Sequence, residues 1–373
     1  MFESYKVIKK ILYLAENLER MRQGRDIIGC TLAVLAGNVM GDALTLPPFF
    51  YLILALAFAG LSLRWPRRAL LLVCFALLGA AAVQQGRMPA AAGPSALTQW
   101  AAGCQAAFSA WLGELFPEGD ELAVLRALSI GDKSGLPRDL RAAYRESGAL
   151  HLLALSGLHV GLIYALLVRL LAPLGGHQAA RLLRSGLILA ALWAYALVTG
   201  LSASISRAVL MISFYEISGL LSGDRDALAA LFGSALLLML FRPEAPRDIG
   251  FQLSYTAVLS ILLLHPWLQR RLQTRSRLLT RVWELLSVSL CCQATCGVLA
   301  WLYFGTFPRY FLLTTLLAIP LTTATMYTAA VTLATAALAI HLPQLSILSQ
   351  LSLQALHGLL HLLNTIIRLI SEL

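Results

Sequence analysis

A chain of 373 residues that is 58% hydrophobic and only 13% charged carries about half the charge of an ordinary soluble domain. Its apolar runs recur from residue 27 onward, and most have the roughly 15–25 residues that cross a bilayer. They are continuous rather than alternating, which excludes a β-barrel and predicts an all-α polytopic membrane protein, a bundle of about ten or eleven transmembrane helices with broken or re-entrant segments.

Residues 1–26 carry Lys6, Lys9, Lys10, Arg20, Arg22 and Arg25 and read as a cytoplasmic amphipathic segment. The first apolar run follows this charged stretch and is one of many, so it is not a cleaved signal peptide. N-terminal transmembrane helices fill 27–83, with spans near 27–44, 48–63 and 68–83. The loop RWPRR, holding Arg64, Arg67 and Arg68, again marks the cytoplasmic side. Residues 84–147 form an outer, membrane-proximal segment. Within it GLPRDLRAAYRESG predicts a short helix, with Pro137 suited to the first turn and Gly148 to its stop. Arg138, Arg141 and Arg145 share one face of that helix. They read either as a solvated interfacial face or as a phosphate-contacting rim.

A transmembrane core takes up residues 148–373. Its spans fall near 150–172, 185–201, 204–222, 226–241, 249–265 and 282–304. A run over 310–340 follows, interrupted by Pro320 and readable as one bent helix or a short hairpin, then a last helix over 346–370. The loop QRRLQTRSRLLTR, with Arg270, Arg271, Arg275, Arg277 and Arg281, is the strongest inside marker. Arg169, Arg181 and Arg184 agree with it, and the topology closes with a cytoplasmic N-terminus. Most of the net charge of +10 therefore sets orientation, and on its own it is weak support for nucleic acid.

Polar residues inside a span face protein or a wet cavity. HLLALSGLHVG, residues 151–161, brings His151, Ser156 and His159 into such a run, with Gly157 and Gly161 spaced for close helix packing. On one continuous helix His151 and His159 stand about 12 Å apart along the axis, too far to share a metal. Helix packing and the lining of a cavity are the two readings, and the second is preferred. TGLSASISRA (199–208) sets Thr199, Gly200 and three serines before Arg207. A broken helix there exposes N–H groups that bind anions, with Arg207 adding a charge; an arginine that only snorkels to the interface is the other reading. Asp248 and Gln252 open another span, where Asp248 also reads as a simple cap. His357 and His361 have ligand spacing but neither an HExxH glutamate nor a third ligand, and GDKSG lacks the phosphate-loop spacing. No metal, cofactor or ATPase site is expected. Five of the six cysteines lie in apolar runs as small hydrophobes, and no disulfide framework is expected.

LSIGDKSGLP (128–137), HLLALSGLHVG (151–161), TGLSASISRA (199–208), DIGFQLSYTAVLSILLL (248–264) and WLYFGTFP (301–308) resemble, in order and spacing, the competence domain of the ComEC family. The likeness covers roughly residues 120–330. It implies a channel in the bacterial cytoplasmic (inner) membrane that passes single-stranded DNA into the cell during natural transformation. It further implies conduit positions at Ser156, His159, Arg207, Asp248 and Gln252. An outer DNA receptor and cytoplasmic motor and strand-binding proteins would be supplied separately. Longer members carry an OB-like domain, for which residues 84–125 are too short, and many end in a metallo-β-lactamase-like domain, for which no HxHxDH run is present. No nuclease activity is therefore expected of this polypeptide, and a separate nuclease would supply it. Trp193 and Tyr195 read either as a stacking surface for bases or as packing or interfacial aromatics, and the second is preferred.

Two other functions compete. A permease for a smaller anionic solute would use the same broken-helix sites. An intramembrane hydrolase would use Ser156 as nucleophile and His159 as base. Residues three apart on one helix do not ordinarily face each other as a dyad, and the glycine two before a nucleophilic serine is missing.

Overall fold

The computed structural model describes residues 25–44, 47–64, 68–86, 96–272, 276–305 and 310–373. The proposed cytoplasmic N-terminal segment lies almost wholly outside the described residues. The fold is all-α, with no strand among the described residues. Among the described residues, eight helices are long and apolar enough to cross a membrane, and three shorter apolar helices accompany them. The protein is thus a polytopic helical membrane protein, as the composition required. The helices group into two compact units.

The first unit comprises residues 1–93, 177–185 and 210–259. It holds α1 (Arg25–Ala43), α2 (Pro48–Arg64) and α3 (Arg68–Gly86). α1 and α3 meet backbone to backbone: a Cβ on Gly41 would lie 2.8 Å from the Ala80 carbonyl oxygen, and one on Gly37 would overlap Ala76. Small residues at this spacing let membrane helices touch where larger ones cannot. The buried Thr31 hydroxyl donates to the Phe232 carbonyl at 3.0 Å.

The second unit comprises residues 94–176, 186–209 and 260–373. It begins with α4 (Ala96–Leu115), α5 (Asp120–Ile130) and α6 (Arg138–Glu146). Next come α7 (Leu150–Leu153) and α8 (Gly157–Leu170). α9 (Gln178–Val198) and α10 (Ala203–Ser222) each run through both units. α11 (Ala227–Phe241) belongs to the first unit, and α12 (Ile249–Gln269) is divided about equally between the two. α13 (Arg277–Cys292) continues through a π-helical turn, Gln293–Gly297, into α14 (Val298–Phe304). α15 (Phe311–Ala339) is one continuous helix through Pro320, so the run is no hairpin, and α16 (Ser346–Ser371) ends the chain.

The core of this unit draws in α5, α6 and α7. Leu356, Leu360, Leu363 and Ile367 recur at helical spacing on α16 and are fully buried against Leu128, Leu140, Tyr144 and Leu152. The Tyr144 hydroxyl donates to Asn364 Oδ1 at 2.9 Å. Arg368 bonds Asp120 at 2.6 Å, and His361 Nδ1 lies 2.9 Å from Glu121 Oε1. His361 is thereby engaged with a carboxylate, and no group of three metal-binding side chains occurs among the described residues.

Candidate functional site

The histidine–serine motif, residues 151–161, does not form the continuous helix its apolar pattern suggests. α7 stops at Leu153, Ala154 is extended, and α8 starts at Gly157 with Ser156 as its N-cap (φ −129°, ψ 169°). Ser and Gly are poor interior residues but good starters, which is why the chain breaks there. The break changes the geometry expected of Ser156 and His159. Because Ser156 lies outside the helix, its side chain meets His159 Nδ1 at 3.0 Å, and its own N–H donates to the same nitrogen at 3.3 Å. The expectation that they would not face each other is corrected by this cap. The arrangement is a capping box with histidine in the place usual for glutamate.

That cap fixes the tautomer. Nδ1 accepts, so the ring proton is assigned to Nε2. His159 is fully buried, and Nε2 has no hydrogen-bond partner among the described residues. The ring thus presents an unused donor, and no carboxylate among the described residues holds it as the third member of a triad would.

A second break lies between α9 and α10. The Gly200 N–H donates to the Leu197 carbonyl and the Leu201 N–H to the Ala196 carbonyl at 2.7 Å, a Schellman stop with Gly200 at φ 70°. Leu201 follows at φ 53°, a positive value that branched or bulky side chains avoid. α10 then restarts at Ala203, and Arg207 on its second turn is buried, 7% exposed. The Ser202 hydroxyl is buried with no partner among the described residues.

Contacts within the second unit bring three of the singled-out segments together. Gly131 ends α5 at φ 75°, and a Cβ there would lie 2.6 Å from Leu155 Cδ1 of the serine motif. A Cβ on Gly157 would lie 3.8 Å from Ala208 Cβ, so the start of α8 touches the second turn of α10. Gln105 on α4 donates to the Ile130 carbonyl at 2.7 Å, and its Oε1 would be 2.8 Å from a Cβ on Gly200. The Tyr195 hydroxyl donates to the Ser129 carbonyl at 2.9 Å. Tyr195 is therefore a strut rather than a free stacking surface. Gln105 carries no motif, and the sequence offers no signal for it.

The remaining candidates divide. His151 on α7 bonds the Gly148 carbonyl at 2.9 Å through Nδ1, and its ring lies 5.3 Å from that of Phe311. Arg138, Arg141 and Arg145 are all exposed along α6, while Leu140, Ala143 and Tyr144 face the core. Close packing at Gly161 is corrected: a Cβ there meets nothing within 4 Å among the described residues. In the first unit Asp248 Oδ1 accepts from the Gly250 N–H at 2.6 Å and the Phe251 N–H at 3.3 Å. It caps α12, the plainer of its two readings. Gln252 Nε2 donates back to the Pro246 carbonyl at 2.8 Å.

One polar group in a span escaped sequence reasoning. Glu216 on α10 is fully buried in the first unit, bonded to Arg225 at 2.9 Å and to the Ser185 hydroxyl at 2.6 Å. A lone acid in the apolar run ISFYEISG was its available signal.

A family model described as Competence protein matches residues 128–373, about two-thirds of the chain. The chain belongs to the competence protein family. The match starts at Leu128, so it takes in the end of α5 and all three converging segments but not Gln105. The chain is 35% identical over 144 residues to ComE operon protein 3 of Bacillus subtilis (strain 168), covering 39% of this chain and 18% of that protein. It is 33% identical over 150 residues to competence protein ComA of Neisseria gonorrhoeae, covering 38% and 21%. An uncharacterized protein of Aquifex aeolicus (strain VF5) is 31% identical over 159 residues, covering 41% and 37%. The matches therefore span well under half the length of these relatives. No solved structure matches.

Proposed function

We propose that this competence-family chain forms the path by which single-stranded DNA crosses the bacterial cytoplasmic membrane during natural transformation. The observation that carries the reading is the contact between Gly157, at the start of α8, and Ala208, on the second turn of α10, next in sequence to the buried Arg207. Helix N-termini offer unpaired N–H groups and positive potential, and broken helices are where membrane proteins place anion sites. His159 Nε2–H and the Ser202 hydroxyl add donors of the kind that phosphates accept.

In this reading the N-terminus is cytoplasmic, as the basic loops require. The exposed arginines of α6 form an outer rim that gathers phosphates. The driving force comes from separate cytoplasmic motor and strand-binding proteins, with an outer receptor delivering the DNA. The chain passes the strand and does not cut it. The close Ser156–His159 pair does not favour a hydrolase: Nδ1 already accepts a backbone N–H, and no acid among the described residues orients the ring.

The test is uptake of labelled DNA in a strain deleted for the gene and complemented with wild type or Arg207→Gln. Arg207→Gln is expected to lower uptake with normal protein levels in the membrane. Wild-type uptake by that variant refutes the role given to Arg207. Tight binding of small phosphorylated solutes with no binding of single-stranded oligonucleotides points to a permease instead.

A further inference from the structure

A cavity of about 260 Å³ in the first unit takes no part in that reading. Its walls include Arg181, Arg184 and Ser185 from the start of α9, Glu216 and Gly219 from the end of α10, and Arg225 from the loop beyond. The interior is built and not a chance gap. Ser185 and Arg225 both bond the Glu216 carboxylate, at 2.6 and 2.9 Å. Arg181 donates to the Gly219 carbonyl at 2.8 Å. Arg225 lies so close over Gly219 that a Cβ there would be 2.7 Å from its Cγ.

Glu216 thus fixes Arg225 and leaves Arg184 for another purpose. Arg184 Nε is buried with no hydrogen-bond partner among the described residues. Three arginines face two carboxylates, Glu216 and Asp224, so the lining keeps a net positive charge. A guanidinium with an open N–H is suited to a phosphate or carboxylate oxygen.

Location selects the source of that oxygen. The cavity stands where two candidate spans, Gln178–Val198 and Ala203–Leu221, reach their ends on one side. On the same two helices Leu182, Leu183, Leu187 and Leu221 are 53%, 55%, 44% and 83% exposed. A basic pocket at a span end with an apolar skirt fits a lipid that has a charged head and acyl chains. A free anion has no use for the leucines, and a nucleic-acid strand calls for a long groove with stacking aromatics. We propose that this cavity seats the phosphate of an anionic phospholipid headgroup, with Arg184 as its main donor. This inference is independent of the DNA reading.

The test is native mass spectrometry of the full chain in detergent, titrated with phosphatidylglycerol, cardiolipin or phosphatidylcholine. The wild type is expected to retain the two anionic lipids and not the neutral one. Arg184→Gln is expected to lose about tenfold in retention, the order of one charge-assisted hydrogen bond. Arg169→Gln, at the exposed end of α8, is expected to retain them as wild type does. Equal retention by Arg184→Gln, or an equal loss in Arg169→Gln, overturns the proposal. So does displacement of the lipid by millimolar inorganic phosphate, or by a single-stranded oligonucleotide. If Arg184→Gln fails to fold, Arg184→Lys keeps the charge and loses the planar fork. Phosphatidylglycerol should then raise its melting temperature less than that of the wild type, and an equal rise counts against the site.

Discussion

Ser156 separates a cap from a nucleophile, and the two make opposite forecasts for the same substitutions. In the structure its side chain bonds His159 Nδ1 at 3.0 Å while its backbone N–H shares that nitrogen. Ser156→Ala removes the first bond and leaves the second. Loss of a capping serine to alanine costs about 1 kcal/mol, replacement by glycine only a few tenths, and asparagine caps as well as serine. One kcal/mol is roughly a fivefold change in the folding equilibrium and shifts the melting temperature of a chain this long by about 2 °C. Ser156→Ala should therefore melt slightly earlier and take up DNA at a modestly reduced rate. Ser156→Gly and Ser156→Asn should sit close to wild type. Melting in detergent, membrane protein level and uptake of labelled DNA are measured on all three. If all three abolish uptake while melting and membrane level stay at wild-type values, the hydroxyl acts chemically and the capping account is wrong.

Other outcomes follow from neighbouring contacts. His159→Ala strips the acceptor from the Ser156 N–H and the donor at Nε2, and should reduce uptake strongly while the chain still inserts, checked by membrane fractionation. Gly157→Leu should disturb folding because its side chain must enter the Ala208 contact, whereas Gly161→Ala should be tolerated, since a Cβ there meets no described atom within 4 Å. Gly200→Ala should lower stability by about 1 kcal/mol from its φ of 70° alone; adding Gln105→Ala should relieve steric crowding but not that backbone cost. For Asp132, burial pushes the carboxyl up, but hydrogen bonds from Ser134 and Ser109 and the charge of Arg126 outweigh it and hold it below the usual carboxylate range. Its stabilising contribution is then present above an unfolded value of about 3.9 and lost as pH falls through the lower folded value. Asp132→Asn should melt earlier than wild type at pH 7, with the gap closing below about pH 4; a gap that does not change with pH refutes the assignment.

The amino-acid sequence by itself determined the class of this protein and most of its helices. Hydrophobic length is a property of the chain, so 27–44, 249–265 and 346–370 were legible, as was the α6 helix from Pro137 to Gly148. The backbone break at Gly200 was legible, because Gly is a stopper in any context, whereas the break at Ser156 was not, because its apolar flanks read as one continuous span. What those breaks assemble was not legible. That Gly157 meets Ala208, that Gly131 meets Leu155 and that Gln105 braces Gly200 depends on which helices pack together. Packing is decided by side-chain fit between segments far apart in the chain, and no local pattern encodes it. The same limit applies to Glu216: its place in an apolar run marked it as unusual, but only the fold brought Ser185 and Arg225 to its oxygens. Pro320 shows the converse, since a proline reads locally as a break, yet in the tertiary structure α15 runs through it from Phe311 to Ala339. Neighbouring helices can satisfy what a membrane proline leaves open, and that compensation belongs to the packed bundle.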